Sequence, residues 1–89
     1  TIRIRKPHQD DTQSVRQKVQ ELAEKLSQES PIQYSWNGDQ LNFELKGANG
    51  HIDIDRSHVK VEIKLNFLLS PLKDKIEKNI SDYLDEHLA

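Results

Sequence analysis

Between Val59 and Leu72 the chain changes its hydrophobic period once, and that change restricts the folds open to it. Val59, Val61, Ile63, Leu65 and Phe67 alternate with polar residues, the period of a half-buried strand. After Ser70-Pro71 the apolar residues Leu72, Ile76, Ile80, Tyr83, Leu84 and Leu88 recur at helical spacing. Ser70 is placed to cap that helix. Pro71 suits its first position, where a missing N–H costs nothing. The longest strand therefore runs straight into the last helix, and both must share one core.

The remaining elements follow from the same periodicities. Ile2-Arg3-Ile4-Arg5 alternates as a short strand that Pro7 ends. Asp10 or Asp11 can cap the next helix, in which Val15, Val19, Leu22, Ala23 and Leu26 form one stripe. That helix should fade near Ser30, since Pro31 disfavours a helical residue before it. Ile32, Tyr34 and Trp36 alternate up to Asn37-Gly38, and Leu41, Phe43 and Leu45 alternate away from it. Asn-Gly is a strong hairpin signal, and a turn centred on it sets Tyr34 opposite Leu41 and Ile32 opposite Phe43. Lys46-Gly47-Ala48-Asn49-Gly50 reads as a looser turn. A two-residue turn at Arg56-Ser57 sets Ile54 opposite Val59 and Ile52 opposite Val61. On the other face it pairs Asp55 with His58, Asp53 with Lys60 and His51 with Glu62.

The expected order is β-α-β-β-β-β-α, an α+β domain spanning residues 1–89. One antiparallel sheet, with its strands in the order 2-3-4-5-1, carries both helices on its apolar face. With 89 residues, a chain of this kind buries a modest share of its surface. The apolar positions fill one core and leave little for a large internal cavity.

Charge and composition exclude several functions. The formal net charge is −2, with both signs interspersed, which disfavours a general nucleic-acid binder. The absence of cysteine rules out disulfides, thiol catalysis and thiolate metal sites. No apolar run approaches the roughly 20 residues of a membrane span, and no signal-peptide pattern is present. A cytoplasmic, soluble protein is expected.

Candidate chemistry is thin. His51, Asp53, Asp55, His58 and Glu62 share a hairpin face and offer zinc-type donors. The same residues read more simply as a solvated, ion-paired face, so no metal centre is expected. His8 and His87 sit near element ends and add no pattern. Ser70 is better explained as a cap than as a nucleophile, and Gly47-Ala48-Asn49-Gly50 leads into a strand rather than a phosphate-binding helix. No catalytic residue and no cofactor are expected. Tyr34, Trp36 and Phe43 could stack a ligand, but at strand spacing they read as core.

The segment Gln33, Tyr34, Ser35, Trp36 lies on a strand at the sheet edge and carries no charge. Such an edge invites pairing with a partner protein or with a second copy. Arg3, Arg5 and Lys6 form a small basic patch. Leu68, out of phase with Phe67 and Leu69, is a candidate exposed contact.

Several of these stretches coincide with a known family. Ile2-Arg3-Ile4-Arg5-Lys6-Pro7-His8 is one, and Tyr34-x-Trp36-x-Gly38-Asp39-x-Leu41-x-Phe43 is another. With Gly47, Gly50 and Leu68-Leu69-Ser70-Pro71-Leu72-Lys73, they resemble the polyhydroxyalkanoic acid system proteins, the polyhydroxyalkanoate granule-region family. The resemblance covers nearly the whole chain and rests on turn, cap and core positions. It implies an accessory role in bacterial polyester storage, through a partner protein or the granule surface, and brings no catalytic motif. The element order is also similar to a shortened helix-grip fold. That suggests an alternative, a carrier of a small apolar ligand, which requires an apolar cavity of roughly 300 Å³ or more.

Overall fold

The computed structural model describes residues 1–29 and 31–88. The elements run β1 (Ile2–Pro7), α1 (Thr12–Glu29), β2 (Ile32–Asn37), β3 (Gln40–Leu45), β4 (Ala48–Ile54), β5 (His58–Leu65), a 3-10 turn (Ser70–Leu72) and α2 (Lys73–His87). All pairings are antiparallel, and the sheet order is β1-β5-β4-β3-β2. This is the expected α+β architecture. Ile2, Ile4, Leu41, Ile52, Val59, Val61 and Ile63 from the sheet form one core with Val15, Val19 and Ala23 of α1 and Ile80 and Leu84 of α2.

Helix α1 begins with Asp11 as its cap, whose carboxylate accepts from Ser14 N–H at 2.7 Å. Asp10 instead meets the Lys18 ammonium at 2.8 Å. The fading expected at Ser30 lies outside the described residues.

The hairpin between β4 and β5 has the expected register, with Ile54 opposite Val59 and Ile52 opposite Val61. The Asp55 carboxylate accepts from the backbone N–H groups of Ser57 (2.8 Å) and His58 (2.6 Å). These two bonds hold the Asp55 carboxyl below its usual pKa.

The hairpin between β2 and β3 corrects the reading by two residues. Tyr34 faces Phe43 and Ile32 faces Leu45, because Asn37 pairs with Gln40 and the turn is Gly38-Asp39. Gly38 has φ +63°, and among the described residues no non-glycine residue has positive φ. A turn with positive φ only at its first central position needs glycine there and lets Asn37 remain in the strand. A shift of two residues keeps the same side chains on the core face. The turn between β3 and β4 is also tighter than expected. Leu45 pairs with Ala48, so Lys46-Gly47 alone forms the turn and Ala48–Gly50 belong to β4.

The junction after β5 departs most from the sequence pattern. The strand stops at Leu65, and Phe67 is 84% exposed. Asn66 ends it. Its N–H donates to Gly47 O, its carbonyl accepts from Leu69 and Ser70 N–H, and its side-chain oxygen accepts from Leu68 N–H at 2.9 Å. An Asn that binds its own neighbours in this way replaces a ladder with a turn. Ser70 does not cap a helix: neither the 3-10 turn nor α2 has a side-chain cap, and Leu72 is the N-cap of α2. Pro71 sits at the start of the 3-10 turn. Ser70→Ala should therefore change stability by less than about 0.5 kcal/mol, as for an ordinary surface site. Asn66→Ala should cost about 1 kcal/mol through the lost turn bond. Paired thermal melts of the two variants check this ordering.

Candidate functional site

Two features of the junction stand next to each other. The first is an exposed apolar loop. Phe67 (84% exposed), Leu68 (57%) and Leu72 (46%) are the exposed large hydrophobic residues among those described. The loop is ordered by the Asn66 bonds, and Leu69 turns inward against Gly47. Exposed Lys46, Lys64 and Lys73 flank it in the turn and along the chain.

The second is an apolar cavity of about 290 Å³. Its walls are Leu22 and Leu26 of α1, Phe43 and Ile63 of the sheet, and Ile76 and Ile80 of α2, and Leu69 and Leu72 bring it to the loop. Asn79 is the one polar residue in its lining among the described residues. The sequence reading left little room for such a cavity. It assigned Phe67 and Leu72 to the core, and the structure turns Phe67 out and leaves Leu72 half exposed. Ile80 and Leu84 are the buried residues of α2, and Ile76 in its first half is half-buried against the core. The pattern carried one signal of the exposed loop: Leu68 breaks the alternation just where Asn66 leaves the strand.

The edge strand β2 presents Gln33 and Ser35 to solvent, while Tyr34 and Trp36 point back to α1. Trp36 Nε1–H donates to Gln20 Oε1 at 2.7 Å, and Gln20 Nε2–H donates to Tyr34 OH at 3.1 Å. The Arg16 guanidinium lies 4.6 Å from the Trp36 ring centroid. The aromatic tips are thus held by α1 rather than open for stacking.

The basic triplet is divided. Arg3 and Arg5 are exposed opposite Glu62 and Lys60, whereas Lys6 forms an ion pair with Asp85 at 3.0 Å.

The histidine face does not converge. His51 lies 3.4 Å from Asp53, which also accepts from Gln40. No group of three metal-binding side chains occurs among the described residues. Ser57 Oγ and His58 Nδ1 are 2.9 Å apart, and the Asp55 carboxylate is close by. That carboxylate binds backbone N–H groups of the turn instead of orienting the imidazole, so the three do not form a proton relay. His8 is buried, and its Nε2–H donates to Asp55 O at 2.8 Å, tying the end of β1 to the β4–β5 turn. His87 stacks on Tyr83 with centroids 4.0 Å apart. Burial and the charge of Glu21 raise the Tyr83 pKa above the usual phenol value.

No helix among the described residues is long and apolar enough to cross a membrane. The family model described as putative polyhydroxyalkanoic acid system protein matches residues 2–88. No curated protein and no solved structure gives a match. The match spans nearly the whole chain, and the chain belongs to that family.

Proposed function

We propose that this member of the polyhydroxyalkanoic acid system family is a cytoplasmic, non-enzymatic accessory of polyester storage that binds the granule surface through the loop from Asn66 to Leu72. The observation that carries the reading is the ordered exposure of Phe67, Leu68 and Leu72 on one turn. Exposed apolar groups gathered in this way mark interaction sites. A polyester of a hydroxyalkanoic acid offers an apolar body with carboxylate chain ends; Phe67, Leu68 and Leu72 complement the first, and the flanking Lys46, Lys64 and Lys73 the second. The family description names a storage system and not a reaction. Ser57, His58 and Asp55 lie close together, but the carboxylate binds backbone N–H groups and does not orient the imidazole.

Co-sedimentation with amorphous polyester particles tests the reading. Phe67→Asp combined with Leu68→Asp should lower the bound fraction at least tenfold without lowering the melting temperature, because both side chains are exposed. Gln33→Lys with Ser35→Lys, on the edge strand, should leave it unchanged. The opposite result would move the contact to the β2 edge and to a protein partner or second copy. Turnover of polyester or its precursors by the purified chain would overturn the non-enzymatic reading.

A second reading, a carrier of a small apolar ligand, draws on the cavity, whose volume of about 290 Å³ falls just short of the roughly 300 Å³ at which ligand pockets begin.

A further inference from the structure

We propose that two copies of this chain pair through β2, antiparallel and with Tyr34 opposite Tyr34, so that their sheets become one. The seam lies on a different edge from the granule contact and does not depend on it.

The backbone of β2 is built for such a seam. Among the described residues β3 is its one partner in the sheet. In an antiparallel ladder, bonded and non-bonded pairs alternate. Asn37 and Gln40 close the two-residue turn as a bonded pair, so Ser35 and Gln33 also bond to β3. The N–H and C=O groups of Ile32, Tyr34 and Trp36 therefore point out from the edge, and no other described backbone group takes them up. The strand carries no charge to keep a second strand away.

The side chains set the register. Ile32, Tyr34 and Trp36 are half-buried toward α1, while Gln33 and Ser35 face solvent. With Tyr34 opposite Tyr34, Ile32 meets Trp36 and Gln33 meets Ser35, and both faces match. All the outward-pointing groups of each strand then pair, two bonds to a residue pair. A shift by two residues keeps the faces but leaves Ile32 or Trp36 outside the ladder.

Helix α1 adds charge complementarity in that same register. The Arg16 guanidinium lies over the Trp36 ring. Gln20 bonds Trp36 and Tyr34, and its amide also donates to Glu24 at 3.0 Å, so the helix runs from Trp36 toward Ile32. Arg16 to Glu24 spans about 12 Å of helix, and Trp36 to Ile32 about 13 Å of strand. Where Trp36 meets Ile32 of the second copy, Arg16 therefore comes level with Glu24 of that copy, and the two-fold repeats the match. Lys18, Glu21 and Lys25 of α1 lie away from the seam, toward Asp10 and Tyr83. Glu44 stands beside Gln33, in a row that continues to the uncharged Ser35 and Asn42 of the second copy. Asp39, in the turn beyond the paired residues, shares a hollow with Arg16. Antiparallel pairing sends the two loops from Asn66 to Leu72 to opposite ends of the joint sheet, clear of the seam. An interface of one strand and one helix flank is small, so the association is at the weak end.

The test is sedimentation equilibrium of the whole chain over a concentration series, with amide exchange read alongside. The parent should dimerise, and exchange at Ile32, Tyr34 and Trp36 should slow as concentration rises, while β1, the other edge, stays unchanged. Gln33→Lys with Ser35→Lys sets lysine against lysine across the seam and should weaken the dimer at least tenfold in a folded chain. Arg16→Glu and Glu24→Arg should each weaken it about tenfold. Both together in one chain should restore it, because the same pair returns with its signs exchanged. If Arg16→Glu does not fold, having lost its contact with Trp36, Glu24→Arg and the double variant still decide. A chain that stays monomeric at every concentration, even one that takes up a strand of another protein, would overturn the proposal, as would a dimer that the lysines leave intact. A dimer that the lysines remove but the exchanged charges do not restore would overturn the pairing of Tyr34 with Tyr34.

Discussion

Gly50→Ala should lower the melting temperature by about 12–24 °C, the equivalent of about 3 kcal/mol in a domain of this size. Gly50 sits in the middle of β4, between Phe43 on β3 and Ile63 on β5. A Cβ built there would collide with the carbonyl oxygen of Glu62. It would also lie 3.0 Å from the Ile63 Cα and from the Phe43 ring. The ring can turn aside, but the backbone of a paired strand cannot move without opening the ladder. Overpacking usually costs about 1–3 kcal/mol, and contact with backbone places this site at the upper end. The check is a thermal melt read alongside Phe43→Ala with Gly50→Ala. If removing the ring rescues most of the loss, the ring and not the Glu62 carbonyl is the obstacle, and the account of Gly50 falls.

Gly50 also shows where the sequence is legible. As one of a pair of glycines near a turn it reads as turn chemistry, yet it is a strand residue kept small by the backbone of the neighbouring strand β5. The two kinds of site look alike in a sequence, because a glycine does not record whether it is needed for φ or for space. Hairpin faces were readable because strand side chains repeat every two residues, so even the shifted Asn37-Gly38 hairpin keeps Tyr34, Trp36, Leu41 and Phe43 inward. The β4–β5 register was readable to the residue, since the turn is short and Asp53, Lys60, His51 and Glu62 pair across it.

The candidate site was less legible. Alternation extended to Phe67 carried that residue into the core. The bonds of Asn66 end the strand two residues earlier, and a single side chain's choice of backbone partner is not written in a hydrophobic period. Leu68 was visible as an irregularity, and it lies on the exposed loop. The cavity follows from what the junction withholds from the core, so no apolar pattern announces it.

Leu84→Ala should cost about 2–5 kcal/mol, the range for a buried leucine truncated to alanine. Leu84 is 1% exposed, and with Ile80 it makes up the fully buried part of α2. Ile76 and Tyr83 add half-buried contacts to the core, and the polar ties of this helix are peripheral. Lys6 meets Asp85 at 3.0 Å at a partly exposed pair, and the Tyr83 hydroxyl reaches Lys18 O at a long 3.4 Å. Exposed ion pairs contribute at most about 1 kcal/mol. The helix is therefore held chiefly through Ile80 and Leu84, while Ile76 in its first half lines the cavity.

Loss of the Leu84 side chain should release α2 before the sheet, since locally weak elements open at lower free energy than the strands they cover. Hydrogen exchange should show the α2 amides of Leu84→Ala exchanging at least tenfold faster at temperatures where β4 and β5 remain protected. Lys78→Ala, on the exposed face of the same helix, should change neither. Exchange rising in step across α2 and the central strands would show one cooperative unit and remove the separate opening of α2 from the account. Phe67 and Leu68 are fixed by Asn66 to the end of β5, so Leu84→Ala should still hold polyester particles below its melting temperature.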